Sequence, residues 1–248
     1  MRVFYPKTIL AAILILQFNA LLHSAWAEPS AKDILNTAKA NTTVNCQTHH
    51  LVYRSTTIIQ HAGSAPTTTV QVTEIFKKKP NYFKMITDDG TQKKTVISNG
   101  DGYLYIQDPA TGKFQPIKAP YAIDPFQQMN NSLDDFDSAN AQPVTDASDS
   151  AGWHHEITVR GGKLPKSVDH ATIKVDPQTN TVTHMEGKDK NGNTVLSMDA
   201  TYQKIGSTYH PQHTHTESST NNFDVSADMD VVTNEVDQEI PDSAFKVK

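Results

Sequence analysis

A single cysteine, Cys46, is the first constraint. It cannot close a disulfide within the chain, and alone it cannot supply a thiolate metal site. The fold must therefore rest on its core, without cross-links. Basic surplus is missing too. Lys and Arg number 22 against 27 Asp and Glu, a formal net charge of −5, and that balance argues against a nucleic-acid-binding face. Glycine (11) and proline (13) are ordinary for 248 residues, which excludes collagen-like and low-complexity architectures. The chain has no G-x-S-x-G, no H-E-x-x-H and no phosphate-binding G-x-x-x-x-G-K. Gly161-Gly162-Lys163 is a turn that carries a lysine. Carboxylates are scattered over turns and strand faces, so no acid–base pair can be nominated. The expectation is a non-enzymatic protein without a cofactor.

The amino terminus reads as an address. Arg2 and Lys7 precede an apolar stretch from Ile9 to Leu22, broken by Gln17 and Asn19, and Ala25-Trp26-Ala27 gives an A-x-A pattern before Glu28. This is the layout of a secretory signal peptide, with cleavage expected after Ala27. The stretch is shorter than the ~20 apolar residues of a membrane span, and no later run is long enough. Residues 1–27 hold two basic residues and no acid, so 28–248 would carry 20 basic against 27 acidic residues, or −7. The expected location is periplasmic or secreted, with 28–248 as a single domain. With 37% hydrophobic residues, that domain has material for a sizeable core.

Two segments read as helices. Ser30 and Asp33 make a capping pattern, and Ile34, Leu35 and Ala38 share a face over about 31–41. Asp124, Pro125 and Gln127 mark a second start, after which Phe126, Met129, Leu133 and Phe136 recur at helical spacing. Ser138 to Gly152 has no periodicity and reads as a loop. The rest alternates polar and apolar residues. Asn99-Gly100-Asp101-Gly102 and Asp189-Lys190-Asn191-Gly192 are hairpin turns. The count is roughly ten antiparallel strands with two helices, which favours a mainly β (α+β) fold. Its form would be a large curved antiparallel sheet or unclosed β-barrel with helices lidding the concave face. A two-sheet sandwich is the alternative, but it leaves no inner space for apolar helices.

Histidines offer the one metal reading. His210, His213 and His215 form H-x-x-H-x-H, and on a strand His213 and His215 share a face. Their alternation with Thr214 and Thr216 fits a solvated strand face better, and no metal ligand is assigned. Cys46 reads as a small strand residue, since no cationic or helix-terminal setting activates it. Lys77-Lys78-Lys79 reads as a solvated strand edge or as a contact for an anionic membrane or partner.

Several stretches, taken in order, resemble the LolA-like family of periplasmic outer-membrane lipoprotein carriers and their relatives. They are the signal, the helix from Ala31 to Leu35, Phe76-Lys77-Lys78-Lys79-Pro80-Asn81-Tyr82-Phe83-Lys84, and Val96-Ile97-Ser98-Asn99-Gly100 leading into Tyr103 to Pro109. The last are Asn234 and Ile240-Pro241-Asp242-Ser243-Ala244-Phe245. Lys79 stands where well-studied members carry an Arg before the Pro-Asn pair, and lysine lacks the planar fork. The resemblance implies an unclosed barrel lidded by helices, whose apolar cavity takes lipoprotein acyl chains or lipid and shuttles them across the periplasm as a monomer. It implies membrane-bound donor and acceptor proteins as partners, and no nucleic acid. The lid and cavity residues it implies are Phe76, Phe83, Met85, Tyr105, Phe126, Met129, Leu133, Phe136 and Met198. Met185 joins them as an adaptable surface. A sensing or scaffold module that binds a lipoprotein or membrane-protein partner without transport is the alternative.

Overall fold

The computed structural model describes residues 29–118, 141, 144–149, 152–160, 164–220 and 223–247. Helix α1 (Ala31–Thr42) comes first. The strands follow as β1 (Thr48–His61), β2 (Thr67–Lys78), β3 (Tyr82–Asp88), β4 (Lys93–Asn99), β5 (Tyr103–Gln107) and β6 (Phe114–Lys118). Next are β7 (Thr145–Asp149), β8 (Gly152–Arg160), β9 (His170–Asp176), β10 (Thr181–Lys188), β11 (Thr194–Ile205), β12 (Thr208–Ser219) and β13 (Phe223–Val236). A 3₁₀ turn, Asp242–Phe245, ends the described chain.

All thirteen strands join one sheet, in the order β6-β5-β4-β3-β2-β1-β13-β12-β11-β10-β9-β8-β7. Every pair is antiparallel. The order is a meander apart from one long-range closure, where β1 pairs with β13 and carries both halves. The sheet does not close on itself, so β6 and β7 are its edges, and the described residues form no second sheet. One strand departs from the sequence reading. Residues 145–149, expected in a loop, form β7, with Asp146 opposite His155 and Ala147 opposite His154. A polar edge strand carries no hydrophobic alternation to betray it, because only one side pairs and solvent takes the rest. A hydrogen bond from His155 Nδ1 to Asp146 Oδ1 at 2.7 Å and an ion pair between Lys174 and Asp149 fasten it instead. The second helix expected from Asp124 lies outside the described residues.

The core is placed asymmetrically. Ala31, Ile34, Leu35 and Ala38 are all buried on one stripe of α1 and pack on Ile157 and Val159 of β8, Ala171, Ile173 and Val175 of β9, and Val182 of β10. The spacing is the i, i+3, i+4, i+7 pattern of a one-sided helix. Asp33 in the first turn and Lys39 in the last suit the helix dipole. The helix stops at a run of β-branched residues, where the Thr43 amide and hydroxyl both donate to Lys39 O, at 2.9 and 2.7 Å. Asn41 Nδ2 donates to Thr179 O at 2.9 Å and pins that end to the β9–β10 turn. On β10, Gly187 leaves room for Val168, whose methyl carbon would sit 3.2 Å from an added Cβ.

A second, smaller cluster forms on the opposite face. Ile97, Ile240 and Phe245 are buried there, with Phe76, Tyr82, Tyr105 and Phe114 against them. Lys78 donates to Ile240 O at 3.0 Å and pairs with Asp242, so the carboxy-terminal segment is strapped to β2. The lysine run is therefore not a solvated edge. β2 lies inside the sheet, Lys77 is buried at 3% exposure, and Lys79 Nζ donates to Asn45 Oδ1 at 3.0 Å. Cys46 is buried, and burial pushes its thiol above the ordinary range, which keeps it inert.

One buried pair makes stability depend on pH. His49 is 1% exposed, and its Nε2 donates to Asn234 Oδ1 at 2.9 Å, while Nδ1 has no partner. The His210 ring stands edge-on at 5.9 Å and is hydrogen-bonded to Thr208 Oγ1. Burial pulls His49 down to about 4, against the smaller opposing effect of Asn234, and pulls His210 down as well. Both rings are neutral in the fold, whereas the unfolded chain takes up their protons near pH 6.5. Stability from this pair is thus complete above pH 6.5 and falls as pH drops toward 4, by on the order of 3 kcal/mol for His49.

Two measurements follow from this packing. Ile173→Ala should lose about 2–5 kcal/mol in urea unfolding, because β9 and α1 cannot close the void, while Val232→Ala, at a site 68% exposed, should change stability little. His49→Gln keeps a donor for Asn234 but cannot titrate. Its unfolding midpoint should fall less between pH 6.5 and 4 than that of the natural chain.

Candidate functional site

Because side chains alternate along a strand, the register assigns each residue to the face that carries α1 or to the opposite, outer face. The two faces differ in chemistry. On the helix face, one cross-strand row reads Ile157–Ile173–Met185–Met198–Thr216–Ala227–Thr57–Thr69 from β8 to β2. The row begins under α1 as buried apolar side chains and ends as hydroxyls. Met185 and Met198 mark the border, half-buried against the α1 cluster. Further on, Leu51, Ile75, Met85 and Val96 form a second apolar row on β1 to β4. From β8 round to β6, the register puts no Asp or Glu on this face among the described residues.

The carboxylates are on the outer face, where they alternate with imidazoles. One row runs Asp228–His215–Asp199–His184–Lys174–Glu156 across β13 to β8. His215 Nδ1 donates to Asp228 Oδ1, His184 Nδ1 to Asp199 Oδ1 and His213 Nδ1 to Asp230 Oδ1, each at 2.7 Å. The hydrogen bonds to Asp228 and then Glu217 raise the His215 pKa. As the alternation required, His213 and His215 share a face, and each is held by a carboxylate of β13. Among the described residues no three His, Cys, Asp or Glu side chains converge as a metal-binding group. The His-x-His of β12 faces the Asp-x-Asp of β13, and that pairing was readable only once the two strands were known to be neighbours.

The residues implied for a cavity divide between the faces. Phe83, Met85 and Met198 lie on the helix face, as does Met185. Phe76 and Tyr105 lie on the outer face and belong to the cluster under the carboxy-terminal turn. Phe76 stacks on His50 with ring centroids 4.5 Å apart, and Lys84 Nζ sits 5.7 Å from its ring centre. The Tyr105 hydroxyl donates to Asp101 Oδ2 at 2.6 Å. The reason is parity: Lys77, not Phe76, pairs with Phe83, and Ile75 pairs with Met85. Phe126, Met129, Leu133 and Phe136 lie outside the described residues. What the sequence reading missed was the block of Ser and Thr on the helix face of β12, β1 and β2. Strand propensity accounts for threonine anywhere in a sheet, and it hid their common orientation.

The described residues form one cleft on the helix face and another on the outer face. One of about 600 Å³ opens beside the end of α1, between Lys39, Thr43, Cys46, His210 and Asp237. Another of about 540 Å³ lies on the outer face, between Val70, Val72 and Ile86 with Arg54 and Asp88 at its rim. No helix among the described residues is long and apolar enough to cross a membrane.

No family model and no curated protein matches the chain. Solved structures do. One is a DUF1329 family protein from Desulfovibrio piger, at 13% identity and a TM-score of 0.56, covering 89% of this chain and 98% of that one. A second is an outer membrane lipoprotein-sorting protein domain from Vibrio parahaemolyticus, at 10% identity and a TM-score of 0.51, covering 86% and 95%. A LolA superfamily protein from Nitrosomonas europaea aligns at 11% identity with a TM-score of 0.48, covering 88% and 97%. The open antiparallel sheet with its helix on one face is the fold of the DUF1329 family protein and of the lipoprotein-sorting protein domain.

Proposed function

We propose that this chain is a non-enzymatic carrier that binds lipoprotein acyl chains or lipid on the helix face of its sheet and moves them across the periplasm after a signal peptide is removed at Ala27. The observation that carries the reading is the chemistry of that face. Half-buried Met185 and Met198 border the α1 cluster, and the described strands from β8 to β6 place no carboxylate beside them. An alkyl chain there displaces water from apolar surface without burying a charge. Each sheltered CH₂ is worth about 0.8 kcal/mol, so a chain of ~16 carbons exposes roughly 12 kcal/mol of unfavourable hydration when it leaves a membrane. Flexible thioethers suit tails of variable length.

The chain between β6 and β7 joins the two free edges of the sheet. It contains Phe126, Met129, Leu133 and Phe136, the lid residues that the resemblance implies, which lie outside the described residues. Phe83 and Met85 extend the binding surface on the far half. Donor and acceptor proteins in the two membranes load and unload the carrier.

The test is native mass spectrometry of protein produced with its signal in a host that has an outer membrane. The natural chain should begin at Glu28 and carry co-bound lipid. Met198→Lys, which puts a charge at a half-buried border position, should reduce bound lipid at least tenfold with little change in circular dichroism. Lipid-free protein that also ignores fluorescent acyl probes would overturn the carrier reading. Retention of a stoichiometric protein partner in that case would assign the fold to sensing or scaffolding.

A further inference from the structure

The helix face is not apolar throughout, and its hydroxyl-bearing part bears on what the ligand is. On the helix face Thr214, Thr216 and Ser218 of β12, Ser55 and Thr57 of β1, and Thr67 and Thr69 of β2 form one hydroxyl-bearing patch, apart from the apolar Leu51–Ile75 row of the same strands. Thr214 and Ser55 flank Met229, Thr216 and Thr57 flank Ala227, and Thr69 continues the second row. Ser55, Thr57, Thr214 and Thr216 are half-buried and Thr69 is exposed. Their hydroxyls make no side-chain hydrogen bond among the described residues, unlike Thr73, which accepts from Gln71 Nε2 at 3.0 Å. They stand beside the methyl and thioether groups of Ala227, Met229 and Met198.

An alkyl chain laid over that patch would strip water from the hydroxyls and give nothing back, which is a net cost. Valine has the shape and strand preference of threonine, and a surface meant for alkyl chains alone would be built from it. Resting on the carrier reading above, we infer that the ligand is an amphiphile bound in one orientation. Its acyl tail lies toward Leu196, Met185 and Met198, and an uncharged head rich in hydroxyl or amide groups lies across Thr216, Thr57 and Thr69. With neighbouring strands ~4.8 Å apart, the hydroxyl row from β12 to β2 spans about 14 Å, room for a glyceryl, sugar or short peptide head. The face supplies no carboxylate for a cationic head on these strands.

The experiment compares two probes that share a tail. 1-Monopalmitoylglycerol carries two free hydroxyls, and methyl palmitate has no donor. Displacement of a fluorescent fatty acid is measured for the delipidated natural chain, for Thr57→Val/Thr216→Val, and for the outer-face control Thr172→Val. The natural chain and the control should prefer the glycerol ester at least tenfold. The double variant should lose that preference, by weaker binding of the glycerol ester and equal or tighter binding of methyl palmitate, with an unchanged unfolding midpoint. A natural chain that prefers methyl palmitate, or a double variant with an unaltered ratio, would overturn the head subsite and leave the carrier reading standing. Failure of both probes to bind would overturn both.

Discussion

Two-residue periodicity, carried across a register that shifts only at bulges between β1 and β13, β9 and β10, β10 and β11, and β11 and β12, decides the chemistry of this protein. Between these bulges each side chain's face follows from counting, and a slip of one residue would exchange the two faces on the strands beyond it. The burial of α1 on β8 to β10 opposes such a slip. Ile157, Ile173 and Val175 must lie under Ile34 and Leu35, or the helix has no partner. The carboxy-terminal turn does the same at the far end, where Ile240 and Phe245 require Ile97 on the outer face. The sheet is thus fixed by two small clusters on opposite faces rather than by one central core.

This arrangement separates charge from alkyl surface. Imidazole–carboxylate pairs cover the outer face across β8 to β13, and each is a half-exposed interaction that adds little to stability by itself. Their collective effect is to give a long, flat sheet face a regular polar surface in place of an apolar one. The helix face is left free of negative charge on the same strands. A protein built to present one face to a ligand and the other to water needs both conditions, and here they are the same condition viewed from two sides.

Most strands were legible before any coordinates, because alternation and the Asn-Gly and Asp-Gly turns are local signals. Helix α1 was legible for the same reason. What sequence could not supply was the partner of each strand. The resemblance implies Phe76 and Tyr105 as cavity residues with Phe83 and Met85, yet Phe76 is one residue out of step with the Ile75–Met85 and Lys77–Phe83 pairs, and Tyr105 pairs with Ile97. The Asp residues of β13 looked like scattered acids until β12 lay beside them. β7 was invisible because its five residues, Thr-Asp-Ala-Ser-Asp, carry no apolar pattern at all.

Histidine shows how the two environments divide one residue type. His49 lies on the helix face at the β1–β13 junction, where burial outweighs its bond to Asn234 and keeps the ring neutral well into acid. His215 lies on the outer face between two carboxylates that favour its charged form. With acidification through pH 6, the outer face therefore gains positive charge while the buried pair resists it, and the energetic consequences oppose one another: the depressed histidine withdraws stability as protons are added, and the raised one contributes it. The buried group has little solvent screening and the exposed group has much, so the loss outweighs the gain. Acid should weaken the β1–β13 closure, the pairing that holds the two halves of the sheet together, before it disturbs the outer ion pairs.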